Sequence, residues 1–406
     1  MAFIVGGVVY RAATMPSGTG WIDSFVFIDG ARYLLHAPLH VYDDARVQLS
    51  LGVPGRSFIY PPAALIPFVP LAVLADHTSI GLASLVWLTI EGAALVATFV
   101  LLVRRLNLPA SISAPLALVL AAAAATSLDV ISGQVNGVVM LLVVVAALRF
   151  PNRSAGVLLG LALAFKPVAP LIIIVPLVRR QWRLTAIAVA TAAVVTVPLG
   201  LLLGWAQMRF YVADFLPGMS GLITNDPNNL SPANLLTTWV GGRPLAVGNG
   251  DLISSLTAPG LASALLIAVR LTIAALALRC AAIAKTPLWA FAIVLATVPL
   301  LSGTAWIHYY VYEMPMAICI SSALAGVRRR WFVVALGIIL IDPLFQPFIR
   351  GNLATDHSLA PWTTFLHAQF AVVATTAAFL GGTAWWVARS QLDRRSEPIA
   401  YRRPDA

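Results

Sequence analysis

From Ser79 to Val103 the chain carries a single ionisable side chain, Glu91, and it then ends on the pair Arg104–Arg105. An unbroken apolar stretch of about 18 residues or more reads as a helix that crosses a bilayer. Similar runs recur at Pro109–Ser127, Val130–Leu148, Leu184–Leu203, Leu261–Leu278, Leu288–Leu301, Tyr310–Gly326, Trp331–Phe348 and Thr363–Val387. They are continuously apolar and do not alternate, which argues against a transmembrane β-barrel. The 406 residues are 60% hydrophobic and 10% charged, whereas soluble domains carry about a quarter charged residues. The expectation is an all-α, polytopic integral membrane protein with about 10–12 transmembrane or half-membrane helices and extracytoplasmic loops. Residues 1–390 read as one transmembrane domain and residues 391–406 as a basic cytoplasmic tail.

The formal charge of +10 does not point to nucleic acid. Its arginines lie in short clusters between apolar runs, which is how orientation signals are distributed. Those clusters also constrain two ambiguous segments. Ile59–Leu74 contains Pro61, Pro62, Pro67 and Pro70. If it stays beside the membrane without crossing, Arg104, Arg105, Arg149 and Arg153 all fall on the cytoplasmic side. Ser154–Arg183 has basic residues at both ends and Lys166–Pro167 at its centre. Its halves are too short to span separately, so it reads either as a re-entrant hairpin with Lys166 at its tip or as one span kinked at Pro167. Residues 1–14 read as a short first helix without a signal-peptide cleavage pattern. Two cysteines, Cys280 and Cys319, offer no disulfide framework, and no ligand spacing demands a metal or other cofactor.

The segment from Trp21 to Leu74 is more acidic and longer than a connection between two membrane helices needs. Its first part, Asp23 to Leu35, has helical periodicity and reads as an amphipathic helix along the membrane surface. A second polar loop, Trp205 to Pro259, holds the run Asn225–Leu236. With the cytoplasmic side fixed, five features converge on the outer face: Asp23, the turn Asp129–Asn136, Lys166, the Asn228–Ser231 loop and Trp306–Tyr309. Ionisable groups at membrane depth are costly and mark functional sites or structural pairs. Lys166, Arg270, Glu91, Glu313 and Asp342 all fall within apolar runs. Taken alone, Asp23 reads first as a helix N-cap, and Gln134 and Asn136 read equally as hydrogen-bonding links between helices.

Several of these segments resemble, in order, the motifs of the GT-C membrane glycosyltransferases of glycosyltransferase family 87. The first is D-x-x-V-F-x-x-G-A-R-x-L-L at Asp23–Leu35, followed by PLHVYDD at Pro38–Asp44 and FIYPPAALIPFVPLAVL at Phe58–Leu74. Then come GQVN at Gly133–Asn136, GVLLGLALAFKP at Gly156–Pro167, NNLSPANLL at Asn228–Leu236 and SGTAWIHYYVYEMP at Ser302–Pro315. The resemblance implies a polyprenol-phosphate-mannose-dependent α-(1→2)-mannosyltransferase of the plasma membrane, multi-pass, working on its extracytoplasmic side. Asp23 then takes the place of the family's catalytic aspartate and His308 that of the first histidine of its Trp-x-His-His motif. Tyr309 replaces the second histidine, and Phe27 stands where tyrosine is frequent.

The implied partners are a lipid-linked sugar donor, a glycolipid or glycan acceptor and membrane lipid, with no nucleic acid. Glycosyl transfer needs a carboxylate to take the acceptor's proton and donors to neutralise the leaving phosphate. Asp23 is the candidate base. Lys166, His308 and Arg209 are candidates at the phosphate, and Gln134, Asn136, Asn229 and Glu313 are further candidates for substrate contact. The rival readings are a GT-C enzyme that uses another lipid-linked sugar, such as arabinofuranose, and a transporter or flippase of lipid-linked sugars.

Overall fold

The computed structural model describes residues 23–51, 57–166, 170–216, 222–224, 231–233, 253–255, 260–302, 305–324 and 326–334, with residues 336 and 382. The expected first helix and the spans Trp331–Phe348 and Thr363–Val387 lie wholly or mostly outside them. The described chain is helical apart from one two-stranded antiparallel ladder, β1 (Leu222–Thr224) with β2 (Ile253–Ser255). This ladder lies in the second polar loop, where no strand was expected.

Helix α1 (Asp23–His36) turns Ser24, Phe27, Ile28, Ala31 and Leu34 inward and leaves Asp29, Tyr33 and Leu35 exposed, as its three-to-four spacing dictates. A short 3-10 turn (Pro38–His40) leads to α2 (Asp43–Leu51). The proline-rich segment begins as a 3-10 helix (Pro62–Phe68) and continues as α3 (Val69–His77). Prolines that lack an N–H cannot sustain the regular α-helical ladder there. Phe27 stacks on Phe68 with ring centroids 4.6 Å apart, and Phe68 meets Trp87 of the next helix at 4.2 Å. This aromatic column ties α1 through the 3-10 segment to α4 (Ile80–Arg105).

Three helices among the described residues are long and apolar enough to cross a membrane: α4, α10 (Trp182–Leu203) and the Ala264–Ile283 part of α12 (Gly260–Ile283). The other expected spans are shorter or broken. Pro109–Ser127 divides at Ala123, whose backbone is extended, into α5 (Ala110–Ala122) and α6 (Ala124–Ser132). Val130–Leu148 is interrupted where α6 ends, and α7 (Asn136–Arg149) starts afresh. α8 (Arg153–Phe165) stops at Lys166, and α9 (Pro170–Val178) follows. α10 leads to a short α11 (Trp205–Arg209) and a π-turn over Phe210–Phe215. Tyr310–Gly326 is part of a 3-10 segment, Ile307–Glu313, and part of α14 (Met314–Ala323).

α13 (Pro287–Leu301) is buried on every side from Leu288 to Leu300. A helix that is apolar all round belongs at the centre of the bundle, and α12, α9, α7 and the Ile307–Glu313 segment pack around it. α8 lies against α10 and α7, and α4 against α7, α3 and α1. On α10 the side chains of Val194 and Leu201 are 71% and 77% exposed; apolar surface of that extent fits contact with lipid chains.

The break after α6 is what places the site. Gly133 has a left-handed backbone (φ 71°), and its N–H closes on Val130 O at 3.0 Å. A β-carbon at Gly133 would sit 2.5 Å from Ser24 Cβ in α1. Glycine is therefore required twice, for the turn and for the approach of α1. The exposed carbonyls of a broken helix are expensive in an apolar interior; here the Trp87 indole N–H points at both Gly133 O and Gln134 O, each 3.0 Å away. Gly133→Ala is expected to lower stability by more than about 1 kcal/mol and to cut activity with it. Thermal unfolding in detergent checks the first effect and a transfer assay the second.

Candidate active site

Asp23 stands at the first turn of α1, and its carboxylate accepts a hydrogen bond from Gln134 Nε2. Gln134 arrives there because Gly133 lets the α6–α7 turn touch α1. The side chain of Asp23 keeps partial exposure, while Gln134, Asn136 and Lys166 are 3%, 0% and 1% exposed. Asp23 is thus the least enclosed residue of this set, with its carboxylate anchored to the protein through Gln134. Crowding by protein raises its pKa from 3.8 to about 6, against the opposing effects of the Gln134 hydrogen bond and the positive charge of Lys166. Loss of water around a carboxyl disfavours its charged form.

Lys166 ends α8 at the point where the helix cannot continue, and its ammonium sits in a buried polar cluster. It donates to Asn136 Oδ1 and, at 3.3 Å, to Gln134 Oε1. Its Nζ lies 4.5 Å from the ring centroid of Tyr309 and 5.6 Å from that of Tyr60, both within cation–π range. The Tyr60 hydroxyl donates to Gln134 Oε1 at 3.1 Å, and the Tyr312 hydroxyl to Asn136 Oδ1 at 2.8 Å. Asp129 and Glu91, both fully buried, interact electrostatically with the same ammonium. Three carboxyl groups and one cation therefore share a space from which most water is excluded. In such a place a cation acts far more strongly than at an open surface.

His308 lies on the Ile307–Glu313 segment with its ring stacked on Tyr309, centroids 5.0 Å apart. Burial first, and then the charge of Lys166, hold its pKa well below 6.5. Its imidazole is neutral at ordinary pH, so it is suited to donate one N–H or accept one proton and unsuited to serve as a second cation. Glu313 closes the same segment with Oε1 buried and no hydrogen-bond partner. Arg209 is exposed at the end of α11 and takes no part in the hydrogen bonds of this cluster. Asn229 lies outside the described residues, as does most of the Asn-rich loop.

The structure thus draws Asp23, Gln134, Asn136 and Lys166 into one hydrogen-bonded set with His308 beside it. Asp129, Glu91 and Tyr309, each within a segment or group that the sequence singles out, join them, and the structure adds Tyr60, Tyr312 and Trp87. Tyr309 replaces the second histidine of the motif, and its ring lies over the lysine ammonium. The tyrosines carried a faint signal, since polar aromatics in apolar segments need partners. Among the described residues no group of three His, Cys, Asp or Glu side chains forms a metal site.

A helical membrane protein whose interior holds a charged cluster, with one carboxylate partly open, has the construction of a membrane-embedded group-transfer enzyme. The sequence profile of glycosyltransferase family 87 matches residues 58–304, more than half of the chain, and the chain belongs to that family. Two relatives named polyprenol-phosphate-mannose-dependent alpha-(1-2)-phosphatidylinositol pentamannoside mannosyltransferase are each 26% identical. The one from Mycobacterium tuberculosis aligns over 94% of this chain and 84% of its own length. That from Mycolicibacterium smegmatis aligns over 93% and 87%. A Mycobacterium tuberculosis polyprenol-phosphate-mannose-dependent alpha-(1-2)-phosphatidylinositol mannoside mannosyltransferase is 29% identical over 79% of this chain and 72% of its own length.

Proposed function

We propose that this glycosyltransferase moves a mannosyl residue from polyprenyl-phosphate-mannose to a hydroxyl of a glycolipid or glycan acceptor, at the extracytoplasmic face of the plasma membrane. The observation that carries the reading is the pairing of a partly open carboxylate, Asp23, with a buried ammonium, Lys166, through one amide, Gln134. The names of the relatives supply the donor and the acceptor class.

In this mechanism the acceptor oxygen attacks the anomeric carbon from the face opposite the phosphate, and Asp23 takes its proton. The bond from the anomeric carbon to the phosphate oxygen breaks, and the electron pair leaves with the lipid phosphate. Lys166 neutralises the charge that develops there, with an N–H of neutral His308 as a second donor. A single displacement inverts the centre, so a β-linked donor gives an α-mannoside. The phosphate is a good leaving group and asks for little general-acid assistance. Orientation follows from the arginine clusters, with Ile59–Leu74 kept beside the membrane and a multi-pass bundle carrying the site on the outer side.

Purified protein in detergent, supplied with polyprenyl-phosphate-mannose and phosphatidylinositol mannoside acceptors, is expected to form a new α-mannosylated lipid. Asp23 must be ionised to act, so the rate should be full above its pKa and should fall as the pH drops through about 6. Product from an arabinofuranosyl donor alone, or donor flipping in vesicles without product, would overturn the reading.

A further inference from the structure

Asp129 is wholly buried in α6, and the displacement described above gives it no task. Its Oδ1 accepts from Asn136 Nδ2 at 2.6 Å. Its Oδ2 is buried and receives no donor in the described hydrogen bonds. The group it meets is the Glu91 carboxyl of α4, whose oxygens accept from the backbone N–H groups of Gly137 and, at 3.1 Å, Val138. Glu91 thereby satisfies the first turn of α7, where backbone N–H groups have no partner of their own. A proton bridging the two carboxyls would give Asp129 Oδ2 its missing bond.

A carboxylate only accepts hydrogen bonds and an ammonium only donates them. The Asn136 carboxamide, lodged between Asp129 and Lys166, can therefore take one orientation: its NH2 faces Asp129, and its oxygen receives Lys166 and the Tyr312 hydroxyl. Gln134 repeats the arrangement, with NH2 on Asp23 and its oxygen receiving Lys166 and Tyr60. Lys166 hangs between two amides, each locked at its far end by a carboxylate. The first carboxylate is the partly open Asp23. The second is closed off from substrate.

We propose that Asp129 is a positioning residue for the transfer reaction: by locking the Asn136 carboxamide it holds the Lys166 ammonium where the leaving phosphate's charge develops, and Glu91 in turn holds Asp129. The inference rests on the glycosyl-transfer reading given above. The charged and titratable groups that act on Asp129 are Glu91 from α4, Asp23 from α1, Lys166 from the end of α8, Tyr60 from the segment before Pro62, and Tyr309 and Tyr312 from the Ile307–Glu313 segment. Tyr60, Tyr309 and Lys166 also act on Asp23. With the Asp129 charge removed, Lys166 acts more fully on Asp23 and a repelling charge is gone. Both changes favour ionised Asp23 at lower pH.

The test compares wild type, Asp129→Asn and the exchange Asp129→Asn with Asn136→Asp, each as full-length protein in detergent, with donor titrations at a series of pH values. The single variant allows the amide to turn, and its kcat is expected to fall about a hundredfold, the scale of a misplaced catalytic group. Its low-pH limb should lie below that of wild type, as the loss of a charge this near Asp23 requires; rescue by the exchange is the readout that a merely structural role would not move. The exchange places a carboxylate oxygen on Lys166 and Tyr312 and leaves a carboxamide able to donate to that carboxylate and to Glu91, so kcat should return to within about tenfold of wild type. Wild-type kcat in Asp129→Asn overturns the proposal. So does an exchange that matches wild type in thermal midpoint but remains about a hundredfold slow. If Asp129→Asn does not fold, the exchange alone decides: kcat within about tenfold of wild type supports the proposal, and a folded exchange that stays about a hundredfold slow overturns it. Asp23→Asn assayed in parallel separates the two levels: wild-type transfer there removes the underlying mechanism, whereas an unaffected Asp129→Asn removes only this inference.

Discussion

Asp23→Asn is expected to abolish most mannosyl transfer in a protein that folds as wild type does. The substituted amide keeps the shape of the side chain and can still accept from Gln134 Nε2 through its oxygen, so the contact between α1 and the α6–α7 turn survives. What it cannot do is take a proton from the acceptor hydroxyl. General-base catalysis contributes about a hundredfold to ten-thousandfold, and that is the loss expected in kcat, with little change in donor affinity. The low-pH limb near 6 should vanish from the residual activity, because the group that produces it is gone. A variant with a normal thermal midpoint and a rate within a few-fold of wild type would assign the base to another residue.

Lys166→Met should have the second largest effect, on two measurements at once. Methionine fills much of the same volume and offers no charge, so Asp23, Asp129 and Glu91 lose the one cation they share. Breaking a buried ion pair by deleting one partner costs about 3–5 kcal/mol, and the thermal midpoint in detergent should drop accordingly. The second effect appears at temperatures where the variant is still folded. Loss of a charge-assisted hydrogen bond to the leaving phosphate is worth about 1.5–3 kcal/mol, roughly ten- to a hundredfold in kcat/KM for the lipid-linked donor. A destabilised variant whose kcat/KM is unchanged would make Lys166 a structural counter-ion only. The asymmetry with Asp23 is a useful control, since that substitution removes chemistry and leaves stability nearly alone.

Much of this protein can be read along the chain. The long apolar runs that became α4, α10 and α12 are visible because crossing a bilayer demands length and apolarity from consecutive residues. α1 was legible through its spacing, with Phe27, Ile28, Ala31 and Leu34 inward. The candidate residues Asp23, Gln134, Asn136 and Lys166 stood out because polar groups in apolar surroundings are costly and need a reason. The breaks were harder to see. Pro109–Ser127 and Val130–Leu148 look like two plain spans, yet the chain folds them as α5, α6 and α7 with a turn at Gly133. An isolated glycine in an apolar run reads as neutral until one knows that Ser24 of a distant helix lies against it. Where Arg209 would stand was equally hidden in the sequence, since exposure at the end of α11 is a matter of packing.

The sequence by itself determined the solvent in which this chain folds, its helical class, and which polar side chains had to be accounted for. All three follow from local composition and spacing. Only the tertiary structure decided how those side chains answer one another. Asp23 and Gln134 are 111 positions apart, and Tyr312 reaches Asn136 across 176. The direction of each amide, the ring of Tyr309 over the ammonium and the neutral state of His308 depend on who stands opposite whom. Hydrogen bonds and buried charges act over a few ångströms, so their partners are fixed by how the helices pack and are not written in the order of the chain.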